Sequence, residues 1–278
     1  MADIKTISIT PIIKWVGGKR QLLDKIKERL PQKYNHYYEP FAGGLAVLLD
    51  LKPENATVND INKELVNLYN TIKNHPKDFL KELKKLDETD CNKEFYIETR
   101  KKYNDKIAKK EHDIELAALF VWLNKHCFNG LYRVNKKGEF NVPYNNKNGS
   151  SDSVSKENVL AMSKYLKNVK ILNGDFEKCV KNAKNGDFIF FDSPYVPINA
   201  TSFDDYAKEG FEEKDHRRLA KLFKELSDKG CYCMLTNHDT KLIRELYKDY
   251  SIEVVDVKRM VNRNANERTG VEVIIRNY

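Results

Sequence analysis

Apolar residues along this chain recur in two rhythms. Some form short unbroken runs bounded by Gly, Pro, Asn or Asp, the pattern of strands. Others recur three or four positions apart over longer stretches, the pattern of helices. Residues 36–41 predict a short strand, followed by Gly43-Gly44 and a helix to about Leu51. Residues 56–59 predict a second strand ending at Asp60, then a helix from Ile61 to about Asn74. Such a β-α-β-α start is the beginning of a doubly wound sheet. From Pro76 the rhythm changes, and 77–86, 93–109 and 113–127 predict charged amphipathic helices with no strand among them. Residues 129–144, rich in Gly, Asn and aromatics, predict a hairpin or irregular loop, and 145–151 a polar one. The alternation then resumes, with strands at 169–172, 188–191, 231–236, 252–257 and 271–276 and helices at 213–228 and 240–248. The predicted fold class is α/β: a Rossmann-like sheet domain made of 1–64 and 166–278, interrupted by a mainly helical insert over 65–165 that carries the hairpin loop near 129–144. No internal repeat is visible.

Composition narrows the function classes. At 278 residues, with 41% hydrophobic and 32% charged residues, the chain is long enough for one large domain with an insert. No apolar stretch is long enough to span a bilayer, and Met1-Ala2-Asp3-Ile4-Lys5 lacks the basic-then-apolar plan of a signal peptide. The expectation is a cytoplasmic protein without a membrane partner. A net charge of +8 permits a polyanionic partner without requiring one. The five cysteines are odd in number and spaced for neither a disulfide framework nor a zinc site, so no metal centre is expected. Cys231 and Cys233 fall on one face of a predicted strand and read as small buried thiols.

Three stretches carry candidate chemistry. Asp192-Ser193-Pro194-Tyr195 follows the apolar run 188–191, so an acid, a rigid turn and an aromatic ring stand where a strand opens. Such a corner suits a planar base whose exocyclic amine donates to the acid. Glu39-Pro40-Phe41-Ala42-Gly43-Gly44 lies at a strand-to-helix turn where glycine allows close backbone approach, or simply a tight turn. It lacks the G-x-G-x-x-G spacing of a dinucleotide site. Asp60, at the end of the next strand, suits a pair of ribose hydroxyls or the N-cap of the following helix, and Asp175 carries the same two readings. In Lys14-Trp15-Val16-Gly17-Gly18-Lys19-Arg20 the phosphate-loop pattern G-x-x-x-x-G-K-[ST] is not met, which argues against an ATPase. Should strands 36–41 and 188–191 be neighbours, their two turns face one crevice.

Together, Lys14-Trp15-x-Gly17-Gly18-Lys19, Glu39-Pro40-Phe41-x-Gly43-Gly44 and Asp192-Ser193-Pro194-Tyr195, in that order, resemble the Dam-type DNA adenine-N6 methyltransferases of the D12 class, alpha group. Within that group the similarity is to GATC methylases of the DpnII restriction system. It extends through residues 128–135 and 138–144 and spans nearly the whole chain. The resemblance implies S-adenosyl-L-methionine as cofactor, double-stranded DNA as substrate and the insert as target-recognition domain. It places Trp15, Lys19, Phe41, Gly43, Asp60, Asp175, Phe176 and Asp192 at the cofactor, with Asp60 on the ribose and Asp175 and Phe176 on the adenine ring. The resemblance leaves open both a cognate endonuclease acting on the same site, though not as a binding partner, and an orphan methylase.

The implied chemistry is methyl transfer to N6 of an extruded adenine. Asp192 and the carbonyl of residue 193 would accept from the amine, with the base stacked on Tyr195 and Pro194 holding the turn. Ser193 departs from the proline common in the family, losing a fixed φ but keeping the carbonyl. A homologue that binds DNA but has lost turnover, or one acting on cytosine N4 or RNA, are the competing readings. In the insert, Arg133 suits a guanine edge, and Phe128, Asn129, Leu131 and Pro143 suit contacts near bases; without the resemblance, Phe128 and Leu131 read first as insert core. Asn145-Asn146-Lys147 stands where the family commonly has Gly-Arg-Tyr. The basic, Asn-rich loop 258–268 reads either as a phosphate clamp or as a solvated loop.

Overall fold

A computed structural model describes residues 8–15, 17, 19–198, 210–258 and 269–278. The N-terminal Met1–Lys5 segment, Val16 and Gly18 of the first motif, and residues 259–268 of the basic loop lie outside the described residues.

Seven strands form one mixed sheet: β1 (Tyr37–Glu39), β2 (Ala56–Asp60), β3 (Val169–Asn173), β4 (Phe188–Phe191), β5 (Tyr232–His238), β6 (Ser251–Lys258) and β7 (Thr269–Arg276). Their order is β3-β2-β1-β4-β5-β7-β6. β1 runs parallel to both β2 and β4, and β4 parallel to β5. β7 is inserted antiparallel between β5 and β6. The uninterrupted run Phe188-Ile189-Phe190-Phe191 is what a strand buried on both faces demands, and all four residues are fully buried. β1 and β4, whose adjacency the sequence left as a condition, are neighbours in the sheet.

By packing, the chain divides into two compact units, residues 1–19, 43–52 and 60–174, and residues 20–42, 53–59 and 175–278. The first holds β3 and the helices α2 (Ala46–Leu51), α3 (Lys63–Asn74), α4 (Pro76–Asp87), α5 (Lys93–Ala108), α6 (Ile114–His126) and α7 (Lys156–Leu166). Every residue of α6 from Leu116 to Asn124 is buried, so α6 is the axis around which α3, α4 and α5 pack. Side chains of Asn62, Asn92, Asp113 and Ser155 cap the starts of α3, α5, α6 and α7.

In the second unit, α1 (Leu23–Lys27), α8 (Phe176–Cys179), α9 (Glu213–Asp228) and α10 (Lys241–Leu246) accompany the central strands. Phe191, Leu235, Val273 and Ile275 from the sheet share a core with Leu219, Phe223 and Leu226 of α9. Cys231, just before β5, and Cys233 within it are both buried. Two of the boundaries that differ from expectation bear on the candidate site. The first strand is shorter, since Pro40 cannot donate to the ladder and Phe41 already belongs to the turn. The helix after β2 begins at Lys63 with Asn62 as N-cap, so Asp60 does not cap it.

Candidate active site and DNA-reading loop

The corner after β4 is held by the neighbouring strand end. β5 closes with Thr236-Asn237-His238, and each of these residues reaches the segment 192–196. Thr236 Oγ1 donates to Asp192 Oδ1 at 3.1 Å and lies near the Tyr195 hydroxyl. Asn237 Oδ1 accepts from the backbone amide of Val196 at 2.9 Å, and its amide makes a long 3.5 Å contact with Ser193 Oγ. His238 Nδ1 donates to the Val196 carbonyl at 2.8 Å, with its ring edge-on to Tyr195 at 4.8 Å. Ser193 and Asn237 are buried, while Asp192, Pro194 and Tyr195 keep part of their surface open. Burial, with the carboxylates of Asp192 and Glu272 nearby, holds the Tyr195 phenol well above its ordinary pKa. The phenol therefore stays protonated and donates, at 2.8 Å, to Glu272 Oε2 on β7. A carboxylate and an aromatic ring are thus fixed side by side at the carboxyl end of a parallel strand, where open α/β sheets bind ligands.

In the other unit, Gly43 and Asp60 form one turn. Asp60 Oδ2 accepts from Gly43 N at 2.9 Å and Oδ1 from Asn62 N at 2.8 Å. Desolvation raises the Asp60 pKa and these amides oppose it, so the peptide groups fix a carboxylate that would otherwise resist ionisation there. Gly43 has φ +44°, and a Cβ on it would lie 2.9 Å from Trp15 Cδ1. The Trp15 indole therefore covers the turn and itself rests on Tyr132, centroids 5.1 Å apart. Tyr69 donates its hydroxyl to the Gly43 carbonyl. Lys19 is buried, with Nζ donating to the Gly17 carbonyl at 2.7 Å. A burial so deep for an ammonium is unusual for lysine and is met by hydrogen bonding.

Phe41 and Phe176 stack at 5.3 Å with a 29° interplanar angle, and Phe211 meets Phe41 edge-on at 5.8 Å. Asp175 caps α8 through Oδ1, accepting from Glu177 N at 3.0 Å. Its Oδ2 accepts from Arg218 of α9 at 3.0 Å. The Arg218 guanidinium sits 4.9 Å from the Phe176 ring centroid and also pairs with Glu177 and Asp215.

The loop following α6 turns one edge outward. Gly130, Phe140, Val142 and Tyr144 are buried, whereas Phe128, Asn129, Leu131, Arg133, Val134 and Pro143 are exposed. Phe128 is 51% and Leu131 36% exposed, which sets aside the reading of these two as insert core. Asn124 of α6 anchors the loop, donating to the carbonyls of Lys14 and Gly130 and accepting from Lys14 N. Arg133 is oriented by Asn141, with Nε donating to Oδ1 at 2.8 Å and Nη2 to the carbonyl at 3.3 Å. Val134 and Phe140 pair across the Asn135–Gly138 turn, so the segment is a small hairpin on an irregular base.

Sequence reasoning did not find Thr236, Asn237, Glu272 or Arg218. The polar triplet that ends the apolar run 231–235, and a lone acid within the apolar strand 271–275, were the available signals for the first three. Arg218 is one cation among many on an amphipathic helix and carries no such signal.

In the first unit a partly buried carboxylate on a glycine turn has the chemistry to accept from sugar hydroxyls. In the second, stacked phenylalanines beside an acid have the chemistry to meet a planar ring. Among the described residues no helix is long and apolar enough to cross a membrane.

Comparison with known proteins assigns the chain to a family. Residues 15–261 match the family model of the D12 class N6 adenine-specific DNA methyltransferases. The chain is 42% identical to the type II methyltransferase M1.LlaDCHI of Lactococcus lactis subsp. cremoris, over 98% of this chain and 96% of that protein. It is 38% identical to the type II methyltransferase M.MjaIII of Methanocaldococcus jannaschii, over 98% and 100% of the two chains. With the DNA adenine methylase of Escherichia coli K12 the identity is 30%, over 96% and 94%. A solved structure of a class I S-adenosylmethionine-dependent methyltransferase from Listeria monocytogenes is similar at 11% identity and TM-score 0.38, covering 94% of this chain and 59% of that one. The chain belongs to the D12 class of DNA methyltransferases, and it transfers a methyl group from S-adenosyl-L-methionine to adenine N6 in DNA.

Proposed function

We propose that this enzyme methylates adenine within GATC in double-stranded DNA, acting on a base extruded from the helix. The tethering of Asp192 by Thr236 beside Tyr195, at the carboxyl end of β4, carries this reading. Adenine N6 is a poor nucleophile because its lone pair is delocalised into the ring. Asp192 and the Ser193 carbonyl accept from its two N–H groups, which draws the nitrogen towards tetrahedral geometry and localises the pair. An acceptor fixed before the reaction costs no reorganisation during it, and such preorganisation is worth several kcal/mol, roughly. Tyr195 receives the base on its ring, a stack worth about 1–3 kcal/mol. Pro194 keeps the carbonyl of Ser193 in place by biasing that residue towards extended geometry.

Trp15, Lys19, Phe41, Gly43, Asp60, Asp175, Phe176 and Asp192 would hold S-adenosylmethionine, with Asp60 accepting from the ribose and Phe176 facing the adenine. When bound, the cofactor supplies a methyl group made electrophilic by its sulfonium. Residues 1–64 and 166–278 form the catalytic domain in this reading, and 65–165 the recognition domain. Arg133, its fork steadied by Asn141, takes a guanine edge; Phe128, Asn129, Leu131 and Pro143 pack near the bases, supported by their outward exposure. The enzyme works in the cytoplasm, paired in function with an endonuclease of the same specificity that does not bind it.

Digestion of DNA from expressing cells with GATC-cutting nucleases of opposite methylation sensitivity tests the target. DNA resistant to the methylation-blocked nuclease and cut by the methylation-requiring one is expected. The reverse pattern removes GATC as the site, and absence of any methylated base would favour a DNA-binding homologue without turnover.

A further inference from the structure

We propose that Glu272 is a positioning residue that fixes the ring plane of Tyr195 for the target base. The inference rests on the reading of Tyr195 as the stacking surface. β7 runs antiparallel to β5 in a register that sets Glu272 opposite His238. These two residues hold Tyr195 from different directions. His238 packs edge-on against its ring at 78°, and Glu272 Oε2 accepts its hydroxyl at 2.8 Å. A tyrosine at the end of a strand otherwise keeps freedom about two side-chain torsions. Tying its far end to a strand removes that freedom before the base arrives.

The bond runs from a phenol to a carboxylate at an ordinary hydrogen-bond length. It joins the loop 192–196 to a sheet strand, the more rigid partner. Thr236 bonds the Asp192 carboxylate and lies near the Tyr195 hydroxyl. Asp192, held by Thr236, thus stands beside the phenol that Glu272 holds, so the acid and the ring are fixed at one corner. Glu272 is also a poor choice for the sheet itself, since its strand neighbours Val271, Val273, Ile274 and Ile275 are all β-branched. Its value lies in what it holds.

The test compares steady-state methylation of a duplex by Glu272→Ala, Glu272→Gln, Tyr195→Phe, Tyr195→Ala and the Tyr195→Phe/Glu272→Ala double variant. A misplacement of about 1 Å costs about a hundredfold in rate, so Glu272→Ala should lose about ten- to hundredfold in kcat. Its KM for S-adenosylmethionine should stay within about twofold, because the cofactor is bound by other residues. Glu272→Gln keeps an acceptor oxygen and should recover most of the loss. Tyr195→Phe should match Glu272→Ala, and the double variant should be no worse than either single one, since both remove the same bond. Wild-type kcat in Glu272→Ala and Tyr195→Phe, with Tyr195→Ala inactive, overturns the positioning role and leaves the stacking role standing. Wild-type kcat in Tyr195→Ala overturns the stacking role. A Glu272→Gln variant as slow as Glu272→Ala, or losses that add in the double variant, also overturns the inference. Because Tyr195→Phe alters only a hydroxyl, it keeps the test open should Glu272→Ala fold poorly.

Discussion

Ser193 stands where the family resemblance leads one to expect proline, and its surroundings show what holds this turn instead. The residue is buried and its hydroxyl faces the Asn237 amide, which also fixes Val196 N. Part of the rigidity lost with the ring is thereby replaced by side-chain contacts, while the carbonyl needed for the amine is unaffected. Ser193→Pro is expected to change kcat by no more than a few-fold, roughly, and to cost about 1 kcal/mol as Asn237 loses a partner. Methylation kinetics and urea unfolding check both values. Gly43 tolerates less. Its left-handed backbone and the Trp15 ring 2.9 Å from a would-be Cβ both oppose a side chain. Gly43→Ala should cost about 1–3 kcal/mol and weaken cofactor binding, measured by calorimetry; unchanged affinity would detach this turn from the cofactor. Arg133→Ala should relax selectivity at one guanine by about 1–3 kcal/mol. A uniform loss of affinity across sites would assign Arg133 to phosphate.

Between elements, the tie from α9 to α8 is the one to probe. Arg218 orders Asp175 and covers Phe176, so Arg218→Ala should raise KM for S-adenosylmethionine several-fold, roughly, with kcat little changed; an unaltered KM would make the tie purely structural. Much at this scale was legible in the sequence. The strands announced themselves as apolar runs closed by Gly, Pro or Asp, and the helices of the insert by their period. The placement of Asp192, Asp60 and Asp175 at strand ends followed from that. What stayed hidden were cross-strand relations. Nothing along the chain states that Thr236 stands beside Asp192, or that Glu272 lies opposite His238, because register is set by pairing of residues far apart in sequence. Of the two readings of Asp60, the N-cap one falls for a local reason. Asp60 and Asn62 are both good N-cap residues, and the carboxylate that turned away binds Gly43 N instead. Exposure of Phe128 and Leu131 was equally unreadable, since an apolar residue in a loop looks the same whether it packs inward or waits for a partner.

For the whole molecule, two buried histidines, one in each unit, set the response to acid. Burial lowers His126 and His216 from 6.5 to about 4. In the unfolded chain each imidazole takes its proton near pH 6.5, whereas in the folded chain it does so near 4. Between those values the unfolded state binds more protons, so stability is whole above 6.5 and falls as pH drops through the window. Each can cost on the order of 3 kcal/mol. Asp60 works the other way, its raised pKa letting acid relieve part of the strain. Urea midpoints measured from pH 7 to 4.5 should fall steadily, and His126→Phe or His216→Phe should each flatten the slope. A slope identical to wild type in both variants would place the acid sensitivity elsewhere.

Nucleoside mass spectrometry tests the grip of Asp192 on the adenine amine most directly. A duplex containing a single GATC is incubated with cofactor and either wild-type enzyme or a folded Asp192→Ala variant. N6-methyladenine is expected from the wild type, with the variant slower by about 10²–10³-fold or more. Methylated cytosine as the product, or an Asp192→Ala variant as fast as wild type, would contradict it.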